Sequence, residues 1–229
     1  MTESENESVP VKIIMVGSIN VGKTSLVAKY AIGKNPVKTE SSKNASIVNK
    51  IKRVNGIRFE IKLWDTAGQE KYKSLSNLFI KNAKIAILVY SIDNEESFKD
   101  LDTWLELIKS MNDEEVIYGV CANKSDLVSE KTIPDEKGKE YAKKIGAEWI
   151  SSSAIINGQG IDKFVEILFV KYYRKFFVSA RSGRDSLNSL NSQNTLNRGF
   201  YQESVKSRKK GCCWSLFKNI IDNNYKMKL

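Results

Sequence analysis

One stretch, GSINVGKT (17–24), constrains the fold more than any other part of the sequence. It has the spacing G-x-x-x-x-G-K-[ST], and it joins an apolar run, VKIIMVG (11–17), to a helical pattern, KTSLVAKYAI (23–32). In a loop between a buried strand and a helix, successive backbone N–H groups point at one spot, and the helix N-terminus adds positive potential. The motif therefore predicts a loop that holds the phosphates of a nucleotide.

Two side chains of this loop have predicted roles. We expect Lys23 to reach the β- and γ-phosphates and the hydroxyl of Thr24 to bind Mg²⁺. The other predicted nucleotide contacts in this stretch are Gly17, Asn20, Val21, Gly22 and Ser25. The branched side chain of Ile19 is unexpected in such a loop. The motif alone does not choose between ATP and GTP.

Apolar runs alternate with helical patterns along the chain. The segments that predict strands are 11–17, 46–54, 57–64, 84–92, 115–123 and 147–153. The segments that predict helices are 23–32, 94–111, 135–146 and 160–177. Asn55 and Gly56 join two of the strands in a hairpin turn with φ > 0. The alternation predicts an α/β fold of three layers, with a six-stranded, mostly parallel sheet that has one antiparallel hairpin strand.

The motif NKSD (123–126) follows the fifth predicted strand. A carboxylate at Asp126 can accept hydrogen bonds from N1–H and the exocyclic amine of guanine, a pair of donors that adenine lacks. The aliphatic stem of Lys124 can cover the face of the base, and Asn123 completes the motif. NKSD falls at the carboxyl end of a strand, where ligands of such sheets lie. Its position supports a role in ligand binding, and the carboxylate of Asp126 favours a guanine nucleotide.

The segment WDTAGQEKY (64–72) supplies a third part of the expected site. Asp65 ends a predicted strand and can hold Mg²⁺ through water. Gly68 allows a backbone N–H to approach a γ-phosphate, and Gln69 can orient an attacking water. The chain contains no histidine, which excludes imidazole acid–base chemistry and histidine metal ligation.

Together these motifs resemble those of the Ras superfamily of small GTPases, over about residues 9–178. Within it, KLWDTAGQEKYKSLSNLFIKNAKIAILVYSIDNEESF (62–98) is similar to the Rab family and favours its endocytic branch. The resemblance implies a sheet with five helices, GTP or GDP with Mg²⁺ as ligands, and slow hydrolysis that switches effector binding. It also implies that effectors, exchange factors and GTPase-activating proteins bind through residues near Ser42 and Gln69.

The resemblance also assigns residues at both ends of the nucleotide. Ser42 takes the place of the family threonine that completes the Mg²⁺ site with Thr24 and Asp65, and Ser41 replaces it if the loop shifts by one residue. At the base, Ser153 and Ala154 are expected to keep the backbone that meets guanine O6.

Four positions depart from the family pattern, and the serine at Ser42 is one of them. Ile19 stands where Ras-type proteins usually have glycine, and we hypothesise that it competes with Gln69 and with an arginine finger, which slows hydrolysis. Asn35 replaces the aromatic residue that flanks guanine, which should loosen nucleotide binding. Ile155 replaces a lysine. Neutral drift is the alternative explanation for all four.

The C-terminal part of the chain has a different composition. Residues 179–229 carry ten Lys/Arg and three Asp/Glu, a net charge of +7 out of +10 for the whole chain. We predict a disordered N-terminus (1–8), a small-GTPase domain (9–178) and a basic hypervariable tail (179–229). No run approaches 18 apolar residues, so no transmembrane helix is expected. The three cysteines cannot form a disulfide framework and indicate a reducing compartment.

The adjacent Cys212 and Cys213 follow a basic run and match the pair that Rab proteins prenylate near the C-terminus, but sixteen residues come after them. Such an ending is not a prenylation signal. We expect the tail to attach to a membrane, through palmitoylation of the cysteines beside the basic run or through an amphipathic helix in 214–229. An error in the translated sequence and a helix that docks on the domain are the alternatives.

The sequence therefore favours a GTP-dependent switch that regulates vesicle trafficking, in the cytoplasm and on the cytosolic face of an endomembrane such as the endosome. A GTP-binding scaffold that hardly hydrolyses GTP is the alternative, and it rests on Ile19, Asn35 and the atypical segment around Ser42. No nucleic-acid partner is expected, because the domain has no basic groove interleaved with aromatic residues.

Overall fold

The computed structural model describes residues 8–32, 46–65, 79–156 and 160–178. All of them belong to the first of the two units into which the chain divides, Met1–Arg181, and the second, Ser182–Leu229, lies outside them. These residues form six strands and four α-helices. They are β1 (Ser8–Val16), α1 (Lys23–Ile32), β2 (Ser46–Val54), β3 (Ile57–Asp65), β4 (Ile85–Ser91), α2 (Glu95–Met111), β5 (Ile117–Asn123), α3 (Asp135–Lys144), β6 (Glu148–Ser151) and α4 (Ile161–Tyr173).

The six strands form one sheet in the order β2-β3-β1-β4-β5-β6. Neighbouring strands are parallel except β2 and β3, which pair antiparallel. The predicted fold, a mostly parallel six-stranded sheet with one hairpin strand, is therefore confirmed. The fifth helix that the resemblance implies is not among the elements of the described residues, and residues 66–78 lie outside the described ranges.

The central strands are buried because helices cover both faces of the sheet. All seven residues of β4 are buried. On one face, Leu88 belongs to a core cluster with Leu101 and Leu105 of α2. On the other face, Gly119 of β5 lies so close to α4 that an added Cβ would come within 2.8 Å of Phe164. This double burial is the reason that the parallel strands are continuous apolar runs in the sequence.

The hairpin at the edge of the sheet follows the predicted alternation. Phe59, Ile61 and Leu63 of β3 are buried, and the residues between them are half-buried. Asn55 (φ 50°) and Gly56 (φ 81°) form the turn in the left-handed region, where these two residue types are tolerated. The turn therefore fixes the register that places the apolar side of β3 on the core.

The two largest differences from the predicted boundaries lie at the start of β1 and at the end of α4. β1 begins at Ser8, inside the predicted N-terminal segment, because its pairing with β3 already starts at that residue. The α-helical part of α4 ends at Tyr173, and the residues that follow, Arg174–Val178, form a π-helical turn. In that turn Phe177 stacks on Tyr173, with ring centroids 5.7 Å apart, and meets Phe59 edge-on at 5.2 Å. These aromatic contacts account for the wider last turn.

The loops after β1, β5 and β6 all leave the sheet at the carboxyl ends of the strands, on the same side, because these strands are parallel. These loops carry the phosphate motif, NKSD and the serine segment around Ser153. A cavity of about 610 Å³ lies elsewhere, lined by Asn112, Val116 and Lys175 among others, and none of the predicted site residues lines it. No helix in the described ranges is both long and apolar enough to cross a membrane.

One helical glycine has a structural reason. Gly138 lies inside α3, where a Cβ would fall 2.2 Å from Tyr90 Oη and 2.5 Å from Trp149 Nε1. Both polar atoms are buried, and burial raises the pKa of the Tyr90 phenol to about 12. The missing side chain of Gly138 therefore makes room for the two polar ends.

The variant Gly138→Ala tests this packing. An alanine inside a helix usually stabilises a protein by about 0.5–1 kcal/mol relative to glycine. Here we expect the free energy of unfolding in urea to fall by about 1–3 kcal/mol, because the methyl group overpacks the contact. Glu140→Ala, at an exposed position of the same helix, should stay within about 0.5 kcal/mol. A Gly138→Ala variant as stable as the wild type would contradict the packing argument.

Candidate nucleotide-binding site

The two glycines of the phosphate motif are required by the close packing of the loop. Gly17 has φ 146°, and a Cβ there would lie 2.1 Å from the carbonyl oxygen of Val89 in β4. Gly22 has φ 92°, and a Cβ there would lie 2.4 Å from Asn123 Nδ2. Any side chain at either position would therefore push the loop away from the sheet.

The middle of the loop connects directly to the NKSD motif. Asn20 adopts φ 62°, a left-handed conformation that asparagine tolerates better than most residues. Val21 is buried, and its carbonyl accepts a 2.7 Å hydrogen bond from Asn123 Nδ2. Asn123 Oδ1 is also buried, and it has no hydrogen-bond partner in the described part of the chain. Because such an oxygen is costly to bury alone, it fits a site that a polar ligand completes.

The lysine of the motif is held inside the loop. Lys23 is 5% exposed, and its Nζ donates to the carbonyls of Gly17 at 2.7 Å and Ser18 at 2.8 Å. It is the first residue of α1, whose first turn contains no acidic residue, so no side chain there cancels the positive end of the helix dipole. Thr24 and Ser25 follow in the same turn. This arrangement is suited to phosphate.

A contact with α2 also holds the phosphate loop. Ser18 Oγ donates a 2.5 Å hydrogen bond to Asp100 Oδ2. The next residue, Ile19, is 41% exposed. The side chain that the sequence marks as unusual is therefore not packed into the core of the domain, and it remains available at the surface of the loop.

The base end of the site begins at Lys124, which follows β5. Lys124 has φ 62°, and its Nζ lies 3.4 Å from Asp93 Oδ2. Asp93 in turn accepts a short hydrogen bond from Ser91 Oγ. Burial acts to raise the pKa of the Asp93 carboxyl, but the bond from Ser91 and the charge of Lys124 outweigh it and lower that pKa. Asp93 thus stays ionised and anchors the end of the Lys124 side chain.

The predicted base-reading carboxylate has a partner on the loop after β6. Asp126 Oδ1 accepts a 2.5 Å hydrogen bond from Ser153 Oγ, and the same hydroxyl accepts from the backbone N–H groups of Ile155 and Ile156 at 3.1 and 3.2 Å. Ser153 is fully buried and Ala154 is 7% exposed. The structure thus joins Asp126 to the serine segment, while the side chain of Ile155, in place of the family lysine, is exposed.

A lysine of α1 contacts the same loop. Lys29 is buried, and its Nζ donates to the carbonyl of Ser153 at 2.8 Å and, through a short bond, to that of Ile156. Burial lowers the pKa of the Lys29 amine, and the charges of Asp162 and Asp126 partly oppose this effect. The helix that begins at the phosphate loop therefore also touches the predicted base end of the site.

The residues available for a metal fit Mg²⁺. Asp65 is fully buried at the end of β3, next to Met15 of β1, and Thr24 supplies a hydroxyl at the start of α1. No group of three or more His, Cys, Asp or Glu residues in the described ranges could hold a metal ion by itself. One carboxylate, one hydroxyl and the oxygens of a phosphate are the kind of ligands that Mg²⁺ takes.

Several predicted site residues lie outside the described residues. These are Asn35, Ser41, Ser42, Gly68, Gln69, Cys212 and Cys213. Conversely, sequence reasoning did not single out Lys29, Asp93 and Asp100. Lys29 and Asp100 lie within helical patterns, where a charged residue usually marks a solvated face, and nothing local signals their contacts.

Comparisons with known proteins agree with this geometry. A family model described as the Ras family matches residues 12–173. The Ras-related protein RabJ of Dictyostelium discoideum is 30% identical over 202 residues, which cover 86% of this chain and 77% of that protein. Human Rab-21 is 30% identical over 209 residues, covering 89% and 91% of the two chains. Rab-21 of Geodia cydonium is 36% identical over 147 residues, 64% of each chain.

The family-model match spans the strands and loops that carry the phosphate loop, Asp65, NKSD and the serine segment. The comparisons bear out the resemblance to small GTPases and its Rab character. This chain therefore belongs to the Ras family of small GTPases, and within that family it is a Rab-type protein.

Proposed function

We propose that this chain binds GTP and GDP with Mg²⁺, hydrolyses GTP slowly, and works as a switch that regulates vesicle trafficking. The observation that carries the proposal is the hydrogen bond from Asn123 Nδ2 to the carbonyl of Val21. It ties the phosphate loop to the motif that reads the base. The loops that would bind the two ends of one nucleotide therefore lie together at the carboxyl ends of the strands. The matched Rab relatives support the general function.

The residues around the phosphates carry out GTP hydrolysis in this proposal. Lys23 and the backbone N–H groups of residues 17–25 bind the phosphates. Thr24, Ser42 and Asp65 would hold Mg²⁺, which when bound neutralises charge on the β- and γ-phosphates. Gln69 orients a water for attack on the γ-phosphorus, and the products are GDP and inorganic phosphate.

The base end selects the nucleotide. The Asp126 carboxylate accepts from guanine N1–H and from the exocyclic amine, and Ser153 holds it through its 2.5 Å hydrogen bond. Lys124 covers the base while its ammonium stays near Asp93. A nucleotide with adenine leaves Asp126 without these two donors, which is a strong penalty at a site built for them.

Protein and membrane partners complete the switch. Effectors, exchange factors and GTPase-activating proteins bind near Ser42 and Gln69, and the described strand next to Ser42 supports such a surface. Ile47 of β2 is 46% exposed and pairs across the hairpin with Trp64. The basic tail attaches to an endomembrane, with Cys212 and Cys213 as candidate lipid sites.

A second candidate is a GTP-binding scaffold that hardly hydrolyses GTP. The observation in its favour is the exposed side chain of Ile19 on the phosphate loop, where it is free to obstruct an attacking water or an arginine finger. The replacements at Asn35 and around Ser42 support the same candidate. Hydrolysis rates distinguish it from the switch.

The variant Asp126→Asn tests base selection. We expect the affinity for GDP to fall roughly 10- to 150-fold, because the amide loses hydrogen bonds that a charged acceptor makes for about 1.5–3 kcal/mol. The affinity for XDP should rise, since xanthine carries a carbonyl where guanine has the amine. Competition against a fluorescent GDP measures both constants. Asp113→Asn, an exposed carboxylate outside the site, is the matched control. Unchanged GDP affinity would refute the assignment of Asp126.

The variant Ile19→Gly tests the obstruction of hydrolysis. With a GTPase-activating protein of Rab relatives, we expect single-turnover hydrolysis to accelerate at least about tenfold, part of the 10³–10⁵ that an arginine finger supplies. Ile19→Ala removes the side chain without adding backbone freedom and should behave alike. If both variants hydrolyse GTP at the rate of the wild type, Ile19 is neutral.

A further inference from the structure

We infer that Lys29 is a positioning residue for base selection: it holds the loop 153–156 so that Ser153 keeps Asp126 turned toward the guanine. The inference rests on the proposed function, and it concerns a residue outside the predicted contacts with the phosphates and the base. It starts from three hydrogen bonds: two from the Lys29 ammonium to the backbone of the loop, and one from the Ser153 hydroxyl to Asp126.

The first link joins α1 to both ends of a four-residue turn. Lys29 Nζ donates to the carbonyl of Ser153, the first residue of the turn, at 2.8 Å. It also donates to the carbonyl of Ile156, the last residue, through a short bond. One ammonium group therefore fixes both ends of the loop, although 124 and 127 residues separate it from them along the chain.

The second link is inside the turn. Ser153 Oγ accepts from the backbone N–H groups of Ile155 and Ile156, and it donates its own proton to Asp126 Oδ1. The position of this hydroxyl thus depends on the shape of the turn. Because Lys29 closes the turn, the orientation of Asp126 depends on Lys29 as well.

The contact is costly to break because the lysine is buried. Lys29 is 6% exposed and Ser153 is fully buried. A buried ammonium without acceptors carries a large desolvation cost, so a turn that moved away would leave Lys29 in an unfavourable state. The lowered pKa of the Lys29 amine has burial as its main cause, and the nearby charge of Asp126 opposes it.

The replacement of the family lysine by Ile155 makes the contacts of Lys29 with this loop more important in this chain. In the family pattern a lysine follows the serine and alanine of the loop, and here that position holds an isoleucine that is 62% exposed. Among the described residues, the ammonium that hydrogen-bonds to the loop backbone comes from α1. Because α1 also begins with Lys23, one rigid helix sets the distance between the phosphate end and the base end.

The test compares nucleotides that differ only in the group that Asp126 recognises. IDP lacks the exocyclic amine of GDP, so the ratio of the two dissociation constants, Kd(IDP)/Kd(GDP), reports how well Asp126 is placed. For the full chain with Mg²⁺, we expect Lys29→Met to lower this ratio about tenfold, because a hydrogen bond to a charged group is lost or weakened. Lys29→Arg, which keeps the charge and the donors, should restore the ratio to within about twofold of the wild type. Lys144→Met, at an exposed position of α3, should leave it unchanged.

A second variant keeps the test sharp if Lys29→Met does not fold. Ser153→Ala removes the hydroxyl between the lysine and Asp126, and it should lower the ratio by a similar factor. A merely structural role of Lys29 would raise both dissociation constants equally, and an unchanged ratio in Lys29→Met or Ser153→Ala would overturn the inference. A wild-type chain that binds ADP as well as GDP would overturn the proposed function itself. A wild-type chain that prefers GDP to ADP, with a Kd(IDP)/Kd(GDP) ratio that does not change in Lys29→Met, would overturn this inference alone.

Discussion

The hydrogen bond between the Asn123 amide and the Val21 carbonyl is the interaction on which the rest of the site depends. It joins the loop after β1 to the last residue of β5, and in the sheet these two strands are separated by β4. A Cβ at position 22 would lie 2.4 Å from Asn123 Nδ2. The hydrogen bond can therefore form only because residue 22 is a glycine. The phosphate loop is thereby fixed relative to the predicted base-reading motif, as a site for both ends of one nucleotide requires.

Three further contacts hold the loops of the site in place. Asp100 on α2 holds Ser18 of the phosphate loop, and Lys29 on α1 holds the loop that carries Ser153. Asp93 anchors the ammonium of Lys124. In each case a charged side chain binds a polar or charged group of a loop. These contacts hold the loops in place before a ligand binds. A site of this kind spends little binding energy on ordering itself.

The sequence predicts the fold and the recognised motifs well, because both depend on local patterns. Buried parallel strands appear as apolar runs, the Asn55-Gly56 turn follows from residue type, and the phosphate loop and NKSD each occupy a short stretch. The roles of Lys29 and Asp100 could not be predicted. Their partners lie 124 and 82 residues away, and only the packing of the helices on the sheet brings them together. The π-helical end of α4 likewise follows from aromatic contacts with β3.

The proposed function places a phosphate loop beside a site that accepts only guanine, at the carboxyl end of the sheet. The most direct measurement is the affinity of the nucleotide-free full chain for GDP and for ADP, with Mg²⁺, by competition against a fluorescent GDP. The proposed function predicts that GDP binds about 10⁴-fold or more tightly than ADP, since adenine leaves the buried polar groups of the site unpaired. Affinities for GDP and ADP within about tenfold of each other, a difference of about 1.4 kcal/mol, would contradict it.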